Sequence, residues 1–204
     1  MVVWLTANTT QQNGISCCDI EEALERLDKA VCDAHYIIIY PDLFTLRDPY
    51  TNYIYKQFEE NNGIVQINPF YETADSVKQM LSEKYNDGMD GVFKHEREKS
   101  LIITDALEEY FCNPNHMQFK KSLANYTREI GKNCFSILTD MGAFPYKCKS
   151  NDLMDYESSL PRKFDVPMKG FSIYHKKDFD RLSDEQKQKL LEHHGKTIEI
   201  VEAK

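Results

Sequence analysis

His35-Tyr36-Ile37-Ile38-Ile39-Tyr40-Pro41-Asp42-Leu43-Phe44-Thr45-Leu46-Arg47 decides the reading of this chain. The first six residues are β-branched and aromatic without polar alternation, the mark of a strand buried on both faces. A strand of that kind belongs inside a parallel sheet with helices above and below it. The turn after the strand matters equally. A phosphate-binding loop needs G-x-x-x-x-G-K-[ST] there, so that backbone N–H groups can wrap phosphate oxygens. Pro41-Asp42-Leu43-Phe44 has no glycine and no lysine, and adds a carboxylate that repels phosphate.

Four more runs repeat the pattern: Gly63-Ile64-Val65-Gln66-Ile67-Asn68, Ser100-Leu101-Ile102-Ile103-Thr104-Asp105, Phe135-Ser136-Ile137-Leu138-Thr139-Asp140 and Gly170-Phe171-Ser172-Ile173-Tyr174. A last strand is expected over Thr197 to Val201. Helical patterns separate them. Asp19 and Glu22 have capping-box spacing ahead of Ile20, Ala23, Leu24, Leu27 and Val31. A helix from Thr45 to Glu60 carries Pro49 in its first turn, and another spans Thr73 to Glu83. Tyr85 to Glu98 is the least legible stretch, read as a short strand near Gly91-Val92-Phe93. After Asn113-Pro114 a helix presents Phe119, Leu123, Tyr126 and Ile130 inward. Ala143 to Ser150 reads as loose, ahead of a helix from Leu153 to Leu160, and Ser183 with Gln186 caps one that ends at His193. Strand and helix alternate, so the expected fold class is α/β, a three-layer sandwich of mostly parallel sheet with helices on both faces. Residues 1–18 read as a flexible segment and 19–204 as one domain.

Composition narrows the function. The 204 residues carry a net charge of −8, which argues against nucleic acid as a direct partner, since that affinity comes from clustered Lys and Arg. No apolar run has bilayer length and no secretion signal opens the chain, so a cytoplasmic protein without a membrane partner is expected. Cys17, Cys18, Cys32, Cys112, Cys134 and Cys148 then read as free thiols, with Cys134 in the core. Cys32-x-x-His35 is the nearest metal-like spacing and is outweighed by the buried-thiol reading, so no metal and no cofactor is expected.

In an open α/β sheet, ligands sit outside the carboxyl ends of the strands. Those ends supply Tyr40 and Asp42; Phe70 and Tyr71; Asp105; Asp140 and Met141; and Tyr174 with His175. Rings with a few hydrogen-bonding groups suit a small organic ligand, and these nine are the candidate binding residues. Asp105 and Asp140 end their strands as a Walker B carboxylate does, which keeps open a residual nucleotide- and magnesium-binding ATPase. Gly195-Lys196-Thr197 runs from helix into strand, the wrong order for a phosphate loop. Asp42, Asp105, Thr139 and Lys176 are ordered as in a phospho-acceptor receiver, without its adjacent acidic pair or its Lys-Pro. No G-x-S-x-G elbow is present, and Cys112 and Cys148 with His116 nearby in sequence do not make a dyad. The chain is therefore read as a non-enzyme, with a pure interaction module as a further alternative.

Over about Ala34 to Ile200 the segments resemble the MEDS (methanogen/methylotroph sensory) domain. The matching positions are His35 ahead of the first strand and Tyr40 at its end, Glu109-Tyr110, Asp140-Met141, Tyr156-Glu157, Tyr174-His175 before Phe179, and His193 or His194 closing the last helix. The resemblance implies a fold like that of RecA and KaiC ATPases with degenerate Walker motifs, and sensing of small organic compounds in signal transduction or transcriptional regulation. On the sensing reading Tyr40, Asp140, Tyr174 and His175 are expected to line or orient the ligand, with His35, Glu157 and His194 supporting fold or site. Ser172 and Asp140 stand where the family often has Cys and Glu. No helix-turn-helix or kinase segment is legible, so output is expected through a separate regulatory or signalling protein, with homo-oligomerisation left open.

Overall fold

The computed structural model describes residues 11–12, 15–60, 62–113, 115–194 and 196–201. Eight strands form one sheet: β1 (Gln11–Gln12), β2 (Ile15–Cys18), β3 (His35–Tyr40), β4 (Ile64–Asn68), β5 (Leu101–Ile103), β6 (Phe135–Asp140), β7 (Met168–His175) and β8 (Lys196–Ile200). Their spatial order is β1-β2-β8-β3-β7-β6-β4-β5. The seven strands from β2 to β5 are parallel; β1 runs antiparallel to β2. No helix among the described residues is long and apolar enough to cross a membrane.

The helices α1 (Ile20–Asp28), α2 (Leu43–Glu59), α3 (Ala74–Ser82) and α4 (Met89–Arg97) cover one face. There Tyr36, Ile38 and Tyr40 of β3 pack with Phe171 and Ile173 of β7. The opposite face takes α6 (His116–Glu129), α8 (Ser150–Ser159) and α10 (Asp184–His193), against Ile37, Ile39 and Tyr174 in one cluster and Phe135 and Ile137 in another. Short helices α5 (Ala106–Phe111), α7 (Ala143–Tyr146) and α9 (Lys176–Phe179) lie at the carboxyl ends of β5, β6 and β7. Side chains alternate across the sheet, so β3 is buried along its whole length and needs no polar face. The α/β sandwich is thus as the buried runs imply.

Strand order also locates the crevices. The chain leaves β3 for β4, beyond β7 and β6, whereas it leaves β7 for β8 on the other side of β3. Connections from β3 and β7 therefore diverge, and those from β4 and β6 do too, opening gaps where ligands sit in such folds.

Several local expectations need correction. Within 1–18, read as a flexible segment, β1 and β2 join the sheet and Cys18 is buried; residues 1–10 lie outside the described residues. Helix α2 starts at Leu43 because Asp42 caps it, so Pro49 falls inside the helix and not in its first turn. Burial of Pro49, Tyr50 and Tyr53 offsets the lost backbone bond. The short strand read near residues 91–93 is α4: its Val92 and His95 are buried, and His95 stacks on Phe58 with centroids 4.3 Å apart. Its Gly91 admits Tyr85, whose ring atoms an added Cβ would meet at 3.1 to 3.2 Å. Val31 lies beyond α1 and is exposed. On α6 the expected inward residues Phe119, Tyr126 and Ile130 are about half exposed, while Lys120, Ala124 and Thr127 are buried. The stretch after β6, read as loose, holds α7, which buries Ala143 and Phe144. Cys32 and Cys134, read as free thiols, are joined as a disulfide.

Candidate functional site

Seven of the nine residues expected at the strand ends divide between the two faces of the sheet. On the face covered by α1–α4, Tyr40 and Asp140 meet: the Tyr40 hydroxyl donates to Asp140 Oδ2 at 3.4 Å. The same carboxylate accepts from Gly142 N at 2.9 Å and Tyr71 N at 3.4 Å. His175 stands 5.1 Å from Tyr40 and 5.3 Å from Tyr71, ring to ring, and caps α9 by accepting from Lys177 N. Burial, then Lys177, holds its basicity below the usual histidine value. Phe70 and Tyr71 close over Gly142, where an added Cβ would come within 2.6 Å of both rings. Around Asp140 the packing leaves a residual cavity of only about 20 Å³, room for one water.

Asp140 is consequently strained in charge. Burial pushes its carboxyl up to about 7 against the hydrogen bonds that favour the anion. A carboxyl with a raised folded pKa binds a proton in the native state that the unfolded chain releases near 3.8. Its stabilising contribution is present at low pH and is lost as pH rises towards 7. Because Asn keeps an acceptor for Gly142 N, Asp140→Asn should remove this dependence. Urea unfolding at pH 5 and pH 7 is expected to show wild type losing roughly 2 kcal/mol relative to the variant over that interval. Parallel curves for the two proteins would contradict a buried, titrating Asp140.

Asp42 and Asp105 do something else. Asp42 accepts from Thr45 N at 2.8 Å and Thr45 Oγ1 at 3.2 Å, capping α2. A helix N-terminus after the first central strand is where a phosphate would be held; here the chain's own carboxylate fills it. Asp105 is exposed beside the edge strand β5 and caps α5 through Leu107 N and Glu108 N at 2.8 and 3.0 Å. It is not brought to the Asp140 group.

Met141 and Tyr174 face the other way. They line a cavity of about 510 Å³ with Leu153 and Leu182, beneath a rim that includes Asp178, Arg181, Lys149 and Asp152. Its size and its apolar floor with polar rim fit a small organic molecule. Asp178 was not among the sequence candidates. It is buried, accepts the Tyr71 hydroxyl and lies 3.6 Å from Arg181, so it bridges the packed group and the cavity.

Behind the cavity lies a buried polar cluster. The Tyr174 hydroxyl donates to Glu157 Oε1 at 2.7 Å. Glu157 Oε2 is 3.1 Å from His194 Nε2 and 4.0 Å from His35 Nε2. His35 Nε2 also meets Ser172 Oγ at 3.1 Å, and His194 Nδ1 meets Leu190 O at 2.7 Å. Gly170 makes room for the imidazole: a Cβ there would lie 2.9 Å from His35 Cδ2. Burial disfavours both charges. It drives His35 down to about 3, while the push it gives Glu157 is outweighed by the two histidines and Tyr174, which hold that carboxyl low. Beside the cluster, Lys120 and Glu109 form a buried ion pair at 3.0 Å, with the Lys120 ammonium 5.9 Å from the Tyr110 ring centroid. Sequence spacing gave no hint of Lys120, because lysines are rarely buried.

No family model matches the chain, and no curated protein matches it either.

Proposed function

We propose that this protein is a non-catalytic small-molecule sensing domain that binds its ligand in the 510 Å³ cavity at the carboxyl ends of β6 and β7. That cavity is the observation that carries the reading. The filled helix N-terminus at Asp42 supports it from the other side, since it denies a triphosphate its usual seat. The ligand we infer has an apolar body, to lie on Met141, Leu153 and Tyr174, and a polar group for the Asp178–Arg181 rim. The resemblance to MEDS domains agrees with a role in signal transduction or transcriptional regulation, read out by a separate regulatory or signalling protein. A cytoplasmic location and a RecA/KaiC-like ancestry belong to the same reading.

A thermal-shift screen of small organics and nucleotides tests it, because a ligand selective for the folded state stabilises by about 2.7 kcal/mol at a hundred times its Kd. At least one organic is expected to raise the Tm. Asn151, exposed on the cavity rim, is suited to blocking: Asn151→Trp should abolish that shift while leaving the unliganded stability within about 0.5 kcal/mol. A panel that produces no shift overturns the proposal. So does magnesium-dependent ATP turnover abolished by Asp140→Ala, which would favour a residual ATPase.

A further inference from the structure

We propose that His35, Glu157 and His194 form a binding site for one divalent transition-metal ion, zinc by chemical preference. One donor atom from each lies within 4.8 Å of the other two, and all three side chains are buried. The donors come from the start of β3, the later turns of α8 and the residue that follows α10, so a single ion would tie three elements together.

The pattern of hydrogen bonding favours an ion over a self-sufficient polar triad. Glu157 Oε2 and His194 Nε2 are buried and face each other at 3.1 Å without hydrogen-bond alignment, and because His194 gives its Nδ1 proton to Leu190 O, both facing atoms are acceptors. Two acceptors held face to face in a buried site repel unless a cation or a proton lies between them, and a shared metal ion supplies that charge. Ligands at about 2.0–2.2 Å from a tetrahedral zinc are themselves about 3.3 Å apart. The observed 3.1 and 4.0 Å separations need only small side-chain movements to reach that spacing.

The surroundings of His194 and Glu157 are those of metal ligands, and His35 would exchange its Ser172 contact for the ion. His194 directs Nδ1 at the Leu190 carbonyl, which fixes the tautomer that offers Nε2 to a metal. Tyr174 occupies the other Glu157 oxygen, leaving Oε2 for the ion. Two imidazoles and one carboxylate suit zinc and its first-row neighbours. Calcium and magnesium, which take oxygen ligands almost throughout, are poorly matched. The inference stands apart from the sensing proposal, since a structural ion needs no ligand in the larger cavity.

The test uses the full chain in a Cys112→Ser/Cys148→Ser background, which removes the two exposed thiols. Chelator-treated protein is titrated with zinc chloride and with cobalt chloride. About one equivalent of zinc should bind and raise the Tm, and cobalt should develop the visible absorption of a four-coordinate ion. Glu157→Gln retains the side-chain shape and should weaken binding at least roughly 100-fold, since loss of a supporting partner alone costs 10- to 100-fold. His35→Asn provides the same reading if Glu157→Gln does not fold. The proposal is overturned if zinc leaves the chelated parent unchanged, or if its affinity and the cobalt spectrum are the same in a folded variant.

Discussion

Glu157→Ala is expected to lower stability by about 3–5 kcal/mol, a large share of the roughly 5–15 kcal/mol that holds a domain of this kind together. The side chain is buried at the junction of Tyr174, His194 and His35. Alanine deprives the Tyr174 hydroxyl of its acceptor and leaves two buried imidazoles without the carboxylate that faces them. It also opens space in the α8 layer. Urea unfolding at pH 7 measures the loss, and Glu157→Gln should retain part of the stability by keeping an oxygen for Tyr174. A Glu157→Ala stability within about 1 kcal/mol of wild type would show that the cluster holds little of the fold.

Lys120→Met should be nearly as damaging, again about 3–5 kcal/mol, for a reason that the partner reveals. Lys120 and Glu109 are both buried and pair at 3.0 Å, so removing the ammonium strands a carboxylate in low dielectric. Breaking a buried pair is costly mainly through the charge left behind, whereas replacing both partners by apolar residues is often neutral. Lys120→Met/Glu109→Leu should therefore recover most of what the single change loses. The comparison is made by chemical unfolding of all three variants. A double variant as weak as the single one would mean that the pair also holds Tyr110 or Tyr156 in place.

Both effects concern residues whose surroundings are only partly legible in the sequence. The buried strands are clear, because Tyr36 to Tyr40 and Phe135 to Asp140 have no sustained polar alternation and fit best between two helical layers. Asp19 and Ser183 announce their helices through local caps that need no tertiary information. Local pattern fails where distant contacts override it. Residues 89–97 are helical because Val92 and His95 find buried places, one of them against Phe58. Helix α6 turns Lys120 inward to reach Glu109, which rotates Phe119 and Tyr126 towards solvent.

The site divides in the same way. Strand ends are readable as a set, but a set alone pools Tyr40 and Asp140 with Met141 and Tyr174 across an intervening sheet. Alternation along β3 and β7 carries the signal that separates them. Asp178 escapes a reading of strand ends because it stands one short turn beyond β7, inside α9. The grouping of His35, Glu157 and His194 escapes a local reading, because three remote segments supply it.

Tyr174 belongs to two compartments at once. Its ring forms part of the wall of the larger hollow, while its hydroxyl is anchored in the sealed interior by Glu157. A molecule in the hollow that tilted this ring would stretch the bond to Glu157, which stands on α8 beside His194 and His35. Substituting Phe would leave the wall standing but remove the hydrogen bond that joins the two compartments.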